Sequence, residues 1–156
     1  MFKHPGNATI YLLLLIILMI GVIACAEQEP DKLADVTPVP QLSEEDSTLL
    51  IGRHDQITKL QRTAPDSAIY YARKQLNLSH QRNVSDWQST ALYNLGTSYF
   101  YSSQYDSASF YLNQSLHHPS IKASLVGRCA HNLGLVYSQT GKFELAIEHF
   151  NKAIQS

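Results

Sequence analysis

Charge is scarce in this 156-residue sequence: Asp, Glu, Lys and Arg make up 16% of it, and the formal net charge is −1. No basic excess exists to hold nucleic acid, so nucleic acid is not an expected partner, and nothing marks the chain for an anionic membrane surface. The seven histidines add positive charge only in acid. Cysteine is scarcer still, limited to Cys25 and Cys129. The two are read below as meeting different fates, which leaves no disulfide framework. Motifs that carry chemistry are missing too, since there is no Gly-rich phosphate loop, no HExxH and no CxxC. No pair of acid–base groups falls at a useful spacing, so neither an enzyme nor a metal or cofactor is expected. What the chain does have is apolar content, 44% of its residues, enough for one globular core at this length.

Residues 1–25 read as an address and are kept out of the fold. Lys3 supplies a positive start, and no acidic residue occurs before Glu27. From Ile10 to Ile23 the chain is apolar apart from Tyr11 and Gly21, which suits the apolar region of a signal peptide. Counted from Ala8 to Ala26, the run is just long enough to span a bilayer. Val22-Ile23-Ala24-Cys25 resembles the bacterial lipobox, in which a small residue precedes the cysteine that is lipidated and becomes the mature N-terminus. That resemblance implies a signal peptide over residues 1–24 and lipidation at Cys25, whose acyl chains would anchor the chain stably to a membrane. An uncleaved membrane helix and an ordinary secretory signal stay open beside it, and in both Cys25 is merely a small residue near the membrane boundary. All three readings put the residues after 26 outside the cytoplasm, because Lys3 holds the N-terminus inside. The address implied is the periplasmic side of a Gram-negative cell envelope, at the inner or outer membrane, or at the cell surface.

After Cys25 the composition shifts. Residues 26–46, AEQEPDKLADVTPVPQLSEED, hold three prolines, several acids and little apolar content, so a flexible tether is expected over 25–46. Its early acids resemble the export signal of surface lipoproteins in the Bacteroidota; a solvated spacer is the simpler reading.

Beyond the tether the chain repeats. Gln104-Tyr105-Asp106-Ser107-Ala108 and its continuation SFYLNQSL match Lys142-Phe143-Glu144-Leu145-Ala146 and IEHFNKAI, and Ala64-Pro65-Asp66-Ser67-Ala68 with IYYARKQL has the same form. Ahead of the two clearest copies stand LYNLGTSYF (92–100) and AHNLGLVYS (130–138). In each, Leu-Gly is followed three residues later by Tyr and nine residues after that by Ala.

These residues resemble the tetratricopeptide repeat. Leu92, Leu95, Gly96, Tyr99, Ala108 and Leu112 take the family's signature places in one copy, and Ala130, Leu133, Gly134, Tyr137, Ala146 and Phe150 take them in the next. The pattern is one of packing: Gly96 and Gly134 have no side chain where two helices of a hairpin come closest, and Ala108 and Ala146 are small for the same contact. Tyr99, Tyr137, Tyr105 and Phe143 are expected to fill the space between neighbouring hairpins. The resemblance implies an all-α, tetratricopeptide-like solenoid of about three antiparallel helical hairpins over 47–156, with repeats near 47–84, 89–122 and 127–156. Six helices are expected near 47–62, 65–79, 86–102, 105–117, 121–140 and 143–155, stacked in a right-handed curve. The spacing is longer than the family's usual value of about 34, being 40 from Ala68 to Ala108 and 38 from there to Ala146. The first copy lacks the Leu-Gly pair, although Leu49, Leu50, His54, Ile57 and Leu60 lie near helical spacing. Ile147, Phe150 and Ile154 are expected to lack a neighbour, either because the chain is truncated, the favoured reading, or because an open end binds something.

Stacks of this family bind peptides or partner proteins in a concave groove lined by the first helix of each hairpin. By resemblance the groove-facing places are Tyr93, Asn94, Thr97 and Tyr101 in one helix and Arg128, His131, Asn132 and Gln139 in the next. Asn94 and Asn132 match an asparagine that bonds a ligand's backbone in some members, and Arg128 is placed to hold a carboxylate. The lysines of the family's carboxylate clamp are missing, which argues against capture of a C-terminus. Solvation of an inner face accounts for the same polar residues equally well. Aromatic residues between 93 and 111 suit an interface, yet most of them are needed as core.

Other features have plainer readings. His117 and His118 are adjacent, point apart on a helix and precede Pro119, so they mark a helix end, not a metal site. Cys129 reads as a small core residue. Asp46-Ser47-Thr48, Asp66-Ser67-Ala68 and Asp106-Ser107-Ala108 resemble an O-glycosylation tripeptide of exported Bacteroidota proteins; the last two recur with the repeat, and only the first is expected near a flexible segment. The leading functional expectation is a lipid-anchored scaffold with a protein or peptide partner. The competing one is a sensor segment of a larger signalling protein, carrying a kinase or a transcriptional regulator farther on.

Overall fold

A computed structural model describes residues 42–156. Cys25, the signal segment and the tether as far as residue 41 lie outside the described residues. Six α-helices make up the described chain: α1 (Glu44–Leu60), α2 (Pro65–Gln81), α3 (Ser85–Tyr101), α4 (Tyr105–Leu116), α5 (Ala123–Gln139) and α6 (Phe143–Ile154). None of them is long and apolar enough to cross a membrane.

The first helix starts earlier than its apolar spacing predicts. Ser43 caps it: the hydroxyl oxygen accepts the Asp46 N–H at 3.1 Å, while the hydroxyl lies 2.9 Å from the Asp46 carboxylate. Glu44, Glu45 and Asp46 then sit in the first turn, where the helix dipole favours negative charge. Asp46 is buried and pairs with Arg82 at 2.9 Å. Residues 42–46 were expected in the tether; the cap and the ion pair draw them into the fold instead. Thr48 and Ser47 are therefore helical, so the tripeptide starting at Asp46 is not in a flexible segment.

Three of the five links between helices are the same device. Asn83 (φ 54°), Ser103 (φ 60°) and Gly141 (φ 73°) take left-handed backbone just after α2, α3 and α5. The next N–H in each case reaches back to the carbonyl of Ser79 (2.8 Å), Tyr99 (2.9 Å) or Tyr137 (2.9 Å). This six-to-one bond satisfies an orphaned carbonyl and reverses the chain within three residues. The link between α4 and α5 is longer and contains Pro119.

Small residues set how closely the hairpins close. A Cβ on Gly96 would come within 2.6 Å of Leu112 Cγ, and one on Gly134 within 2.6 Å of the Phe150 ring. Leu92, Leu95, Tyr99, Ala108 and Leu112 are buried, as are Ala130, Leu133 and Ala146, while Tyr137 and Phe150 are half-buried. The first hairpin closes differently. Without a Leu-Gly pair, α1 packs through Leu50 and Ile57, both fully buried, and Leu49 stays exposed. Phe143 was expected between hairpins, but it is 61% exposed, because no helix among the described residues lies beyond α6. Ile147 and Ile154 are likewise exposed.

Beyond nearest neighbours, close backbone approaches occur only between first helices, α1 with α3 and α3 with α5; the backbones of α2, α4 and α6 stay farther from one another. The first helices thus form one close layer and the second helices a splayed one, and the stack curves toward α1, α3 and α5. This inner layer positions the candidate site.

Candidate functional site

The residues expected to face the groove divide by helix. Helix α3 has a first helix on each side, so its inward polar groups are consumed internally. Asn94 is 1% exposed. Its Nδ2 donates to Gln75 Oε1 at 2.8 Å and to His54 Nδ1 at 3.0 Å, and Gln75 Nε2 donates to the Leu50 carbonyl at 3.1 Å. The expected ligand-binding asparagine is instead a tie between α1, α2 and α3, since both of its amide hydrogens are used. Burial pushes the His54 imidazole below its ordinary value, the nearby Arg128 adds to this, and Asp55 opposes it.

Tyr93 and Thr97 are buried as well. The Arg128 guanidinium lies 4.5 Å from the centroid of the Tyr93 ring, a cation–π arrangement. Asn132 Nδ2 donates to Thr97 Oγ1 at 2.9 Å and lies 3.3 Å from the Tyr93 hydroxyl. Tyr101 is half-buried, and its hydroxyl accepts from Arg62 Nε at 3.0 Å. The α3 half of the expected groove is therefore largely interior packing.

Helix α5 keeps its polar face open. Arg128, His131 and Gln139 are exposed and Asn132 is half-buried. Tyr93, Arg128, His131 and Asn132 come together at the edge of a cleft of about 520 Å³, whose far wall is Phe150 and Ile154 of α6. The His131 and Phe150 rings are 5.6 Å apart. Asn94, Thr97, Tyr101 and Gln139 do not line it. The contribution of α6 was missed because the family resemblance points only to first helices; the signal available was the apolar pair Phe150 and Ile154, one turn apart. Among the described residues no carboxylate lines the cleft. Its chemistry is an apolar wall facing hydrogen-bond donors, which suits a peptide presenting an apolar side chain and backbone carbonyls.

The remaining candidates are structural. Cys129 is fully buried with its Sγ 3.4 Å from Ser115 Oγ, and burial pushes its thiol up to about 11. His117 Nδ1 lies 2.9 Å from the Asn113 carbonyl, while His118 Nδ1 accepts from the Ser120 N–H at 3.2 Å, so the two imidazoles do not converge. Among the described residues no group of three His, Cys, Asp or Glu is placed to hold a metal ion.

Paired antiparallel helices, glycine-closed hairpins and a close inner layer define an all-α, tetratricopeptide-like helical solenoid. Two stretches of the chain match the family models of the tetratricopeptide repeat, residues 89–116, spanning most of α3 and α4, and residues 128–155, spanning most of α5 and α6. The matches support a tetratricopeptide-repeat protein; they do not reach α1 or α2. Repeats of this kind point to a protein-interaction scaffold with a protein partner. No curated protein and no solved structure matches the chain.

Proposed function

We propose that the chain is an interaction module, tethered outside the cytoplasm by a lipidated Cys25, that takes a peptide segment of a partner protein into the cleft between α5 and α6. The observation that carries the binding site is the facing of Arg128, His131 and Asn132 against Phe150 and Ile154 in a cleft that no carboxylate of the described residues lines. An apolar anchor residue of the partner seats on the Phe150 wall, and its neighbouring carbonyls accept from Asn132 and Arg128. Arg128 parks on the Tyr93 ring in the absence of a partner, so it is partly ordered before binding and loses less freedom when a ligand arrives. The anchor rests on Lys3, the apolar run and Val22-Ile23-Ala24-Cys25, and it implies the periplasmic side of a Gram-negative envelope.

Two measurements test the two halves. A photo-crosslinking residue at His131 of the full chain in its native membranes captures a protein, and Arg128→Ala weakens that capture by about tenfold. Equal capture from a residue at Asp66 of α2, or no effect of Arg128→Ala, overturns the cleft. Intact mass of the membrane-extracted chain shows a diacylglyceryl-modified N-terminus at Cys25 that is lost in Cys25→Ala. An unmodified chain that keeps Met1 overturns the lipid anchor.

A further inference from the structure

His149 of α6 departs from the pairing that the rest of the interior keeps. Its Nδ1 is buried without a hydrogen-bond partner, the one such side-chain nitrogen or oxygen among the described residues. The ring packs against Tyr137 of α5, with centroids 5.2 Å apart and planes 40° apart. The internal repeat shows what this place otherwise holds. Tyr71, Tyr111 and His149 each stand three residues after a packing alanine, Ala68, Ala108 and Ala146. Tyr111 stacks on Tyr99 at 5.4 Å, the same contact that His149 makes with Tyr137. The third copy thus sets a ring that titrates near neutral pH where the other two carry a tyrosine.

A neutral imidazole suits the site. It carries its one hydrogen on Nε2 and leaves Nδ1 a bare acceptor. An imidazolium has to carry a hydrogen on both nitrogens, which buries an unsatisfied donor and a charge against α5. Burial is the main reason that the ring resists a proton; Glu148 on α6 opposes it, while Lys152 on α6 and His117 at the end of α4 add to it. The Tyr137 ring already has the Lys142 ammonium 5.9 Å from its centroid, which weakens its attraction for a second cation. The contact matters because it helps to hold the helix. Among the described residues α6 has close backbone approaches with α5 alone. Its buried residue is Ala146, and Phe150 over Gly134 and His149 against Tyr137 complete the face turned to α5.

We infer that His149 is an acid-sensitive latch: proton uptake by its ring loosens α6 from α5, with the link through Gly141 as the hinge. Well above pH 6.5 the ring is neutral whether α6 is closed or open, and the latch holds at full strength. Below 6.5 the open form binds a proton that the closed form refuses. Opening therefore gains as pH falls, until the closed form takes up the proton too. Opening also carries Phe150 and Ile154 away from α5, so acid weakens the peptide cleft. That consequence rests on the cleft proposed above; the latch itself does not, because His149 does not line the cleft.

Native-state hydrogen exchange on the full chain in mild detergent tests the latch, with each amide rate corrected for its intrinsic dependence on pH. The opening constant of α6 is expected to rise by up to about tenfold for each pH unit below 6.5 and then to level off. His149→Tyr restores the residue of the other two copies and abolishes the rise, whereas His54→Asn leaves it in place. His149→Gln, which does not titrate either, gives an equally flat profile even where it loosens the helix at every pH. A flat α6 profile in the wild type, or the same rise in either His149 variant, overturns the inference. Exchange is read without a partner, so failure of the cleft and failure of the latch are told apart.

Discussion

Gly96 and Leu112 meet so closely that a Cβ on Gly96 would fall 2.6 Å from Leu112 Cγ and 2.9 Å from its backbone nitrogen. The second distance matters more, because a helix backbone cannot swing away as a side chain can. The atoms nearest Gly134 belong to the half-buried ring of Phe150, and Gly52 of α1 faces nothing within 4 Å. Three identical substitutions should therefore give three different results. Gly96→Ala is predicted to lower stability by about 1–3 kcal/mol, since overpacking outweighs the gain in helix propensity. Gly134→Ala should cost less, and Gly52→Ala should raise stability by up to about 1 kcal/mol. Urea unfolding of the three variants checks the order; equal effects at Gly96 and Gly52 would refute the close contact.

The two asparagines at equivalent repeat places should separate stability from binding. Asn94→Ala strands Gln75 Oε1 in the interior and is predicted to cost about 2 kcal/mol in chemical denaturation. Asn132 is half-buried and its partners Thr97 and Tyr93 are hydroxyls, so Asn132→Ala should cost under about 1 kcal/mol while weakening partner capture. The reverse ranking in unfolding experiments would contradict the assignment.

His54 makes stability depend on pH. Asn94 Nδ2 is a donor, so His54 Nδ1 has to accept, and protonation of that nitrogen breaks the bond. The folded-state value lies below the ordinary 6.5, chiefly through burial, so below that pH the unfolded chain takes up a proton that the folded chain refuses. Stability is predicted to fall as pH drops through 6.5 and to level off below the folded-state value. Thermal unfolding across that range should show the decline, and His54→Asn should reduce it, leaving the part that comes from His149, whose imidazole burial also holds below its ordinary value; an unchanged slope in the variant would remove His54 as a cause.

Cys129 should be chemically silent. With its thiol near 11, about one molecule in a thousand carries a thiolate at pH 8, and the sulfur is fully buried. A Cys25→Ala chain treated with a maleimide is expected to gain no label while folded and one label in denaturant, as read by intact mass. Rapid labelling of the folded chain would show that α5 opens readily.

The sequence by itself determined the hairpins from α3 to α6. Leu-Gly, Tyr and Ala at fixed intervals are what close helix packing demands, and that demand is local, so the internal repeat and its resemblance to the tetratricopeptide pattern located these helices within a few residues. The start of α1 escaped, because Ser43 and three acids look like spacer until a helix forms behind them and Arg82 arrives to pair with Asp46. The inner face was harder still. Asn94 and Asn132 hold the same place in the repeat, yet only Asn94 has a Gln75 within reach; the residue standing 40 positions on from Gln75 is Ser115, which is shorter and bonds the Ser89 carbonyl instead. Which polar residue becomes interior and which stays open depends on side-chain length in a neighbouring hairpin. Only the tertiary structure decides that, because it alone brings α2 against α3 and leaves the far side of α6 uncovered among the described residues.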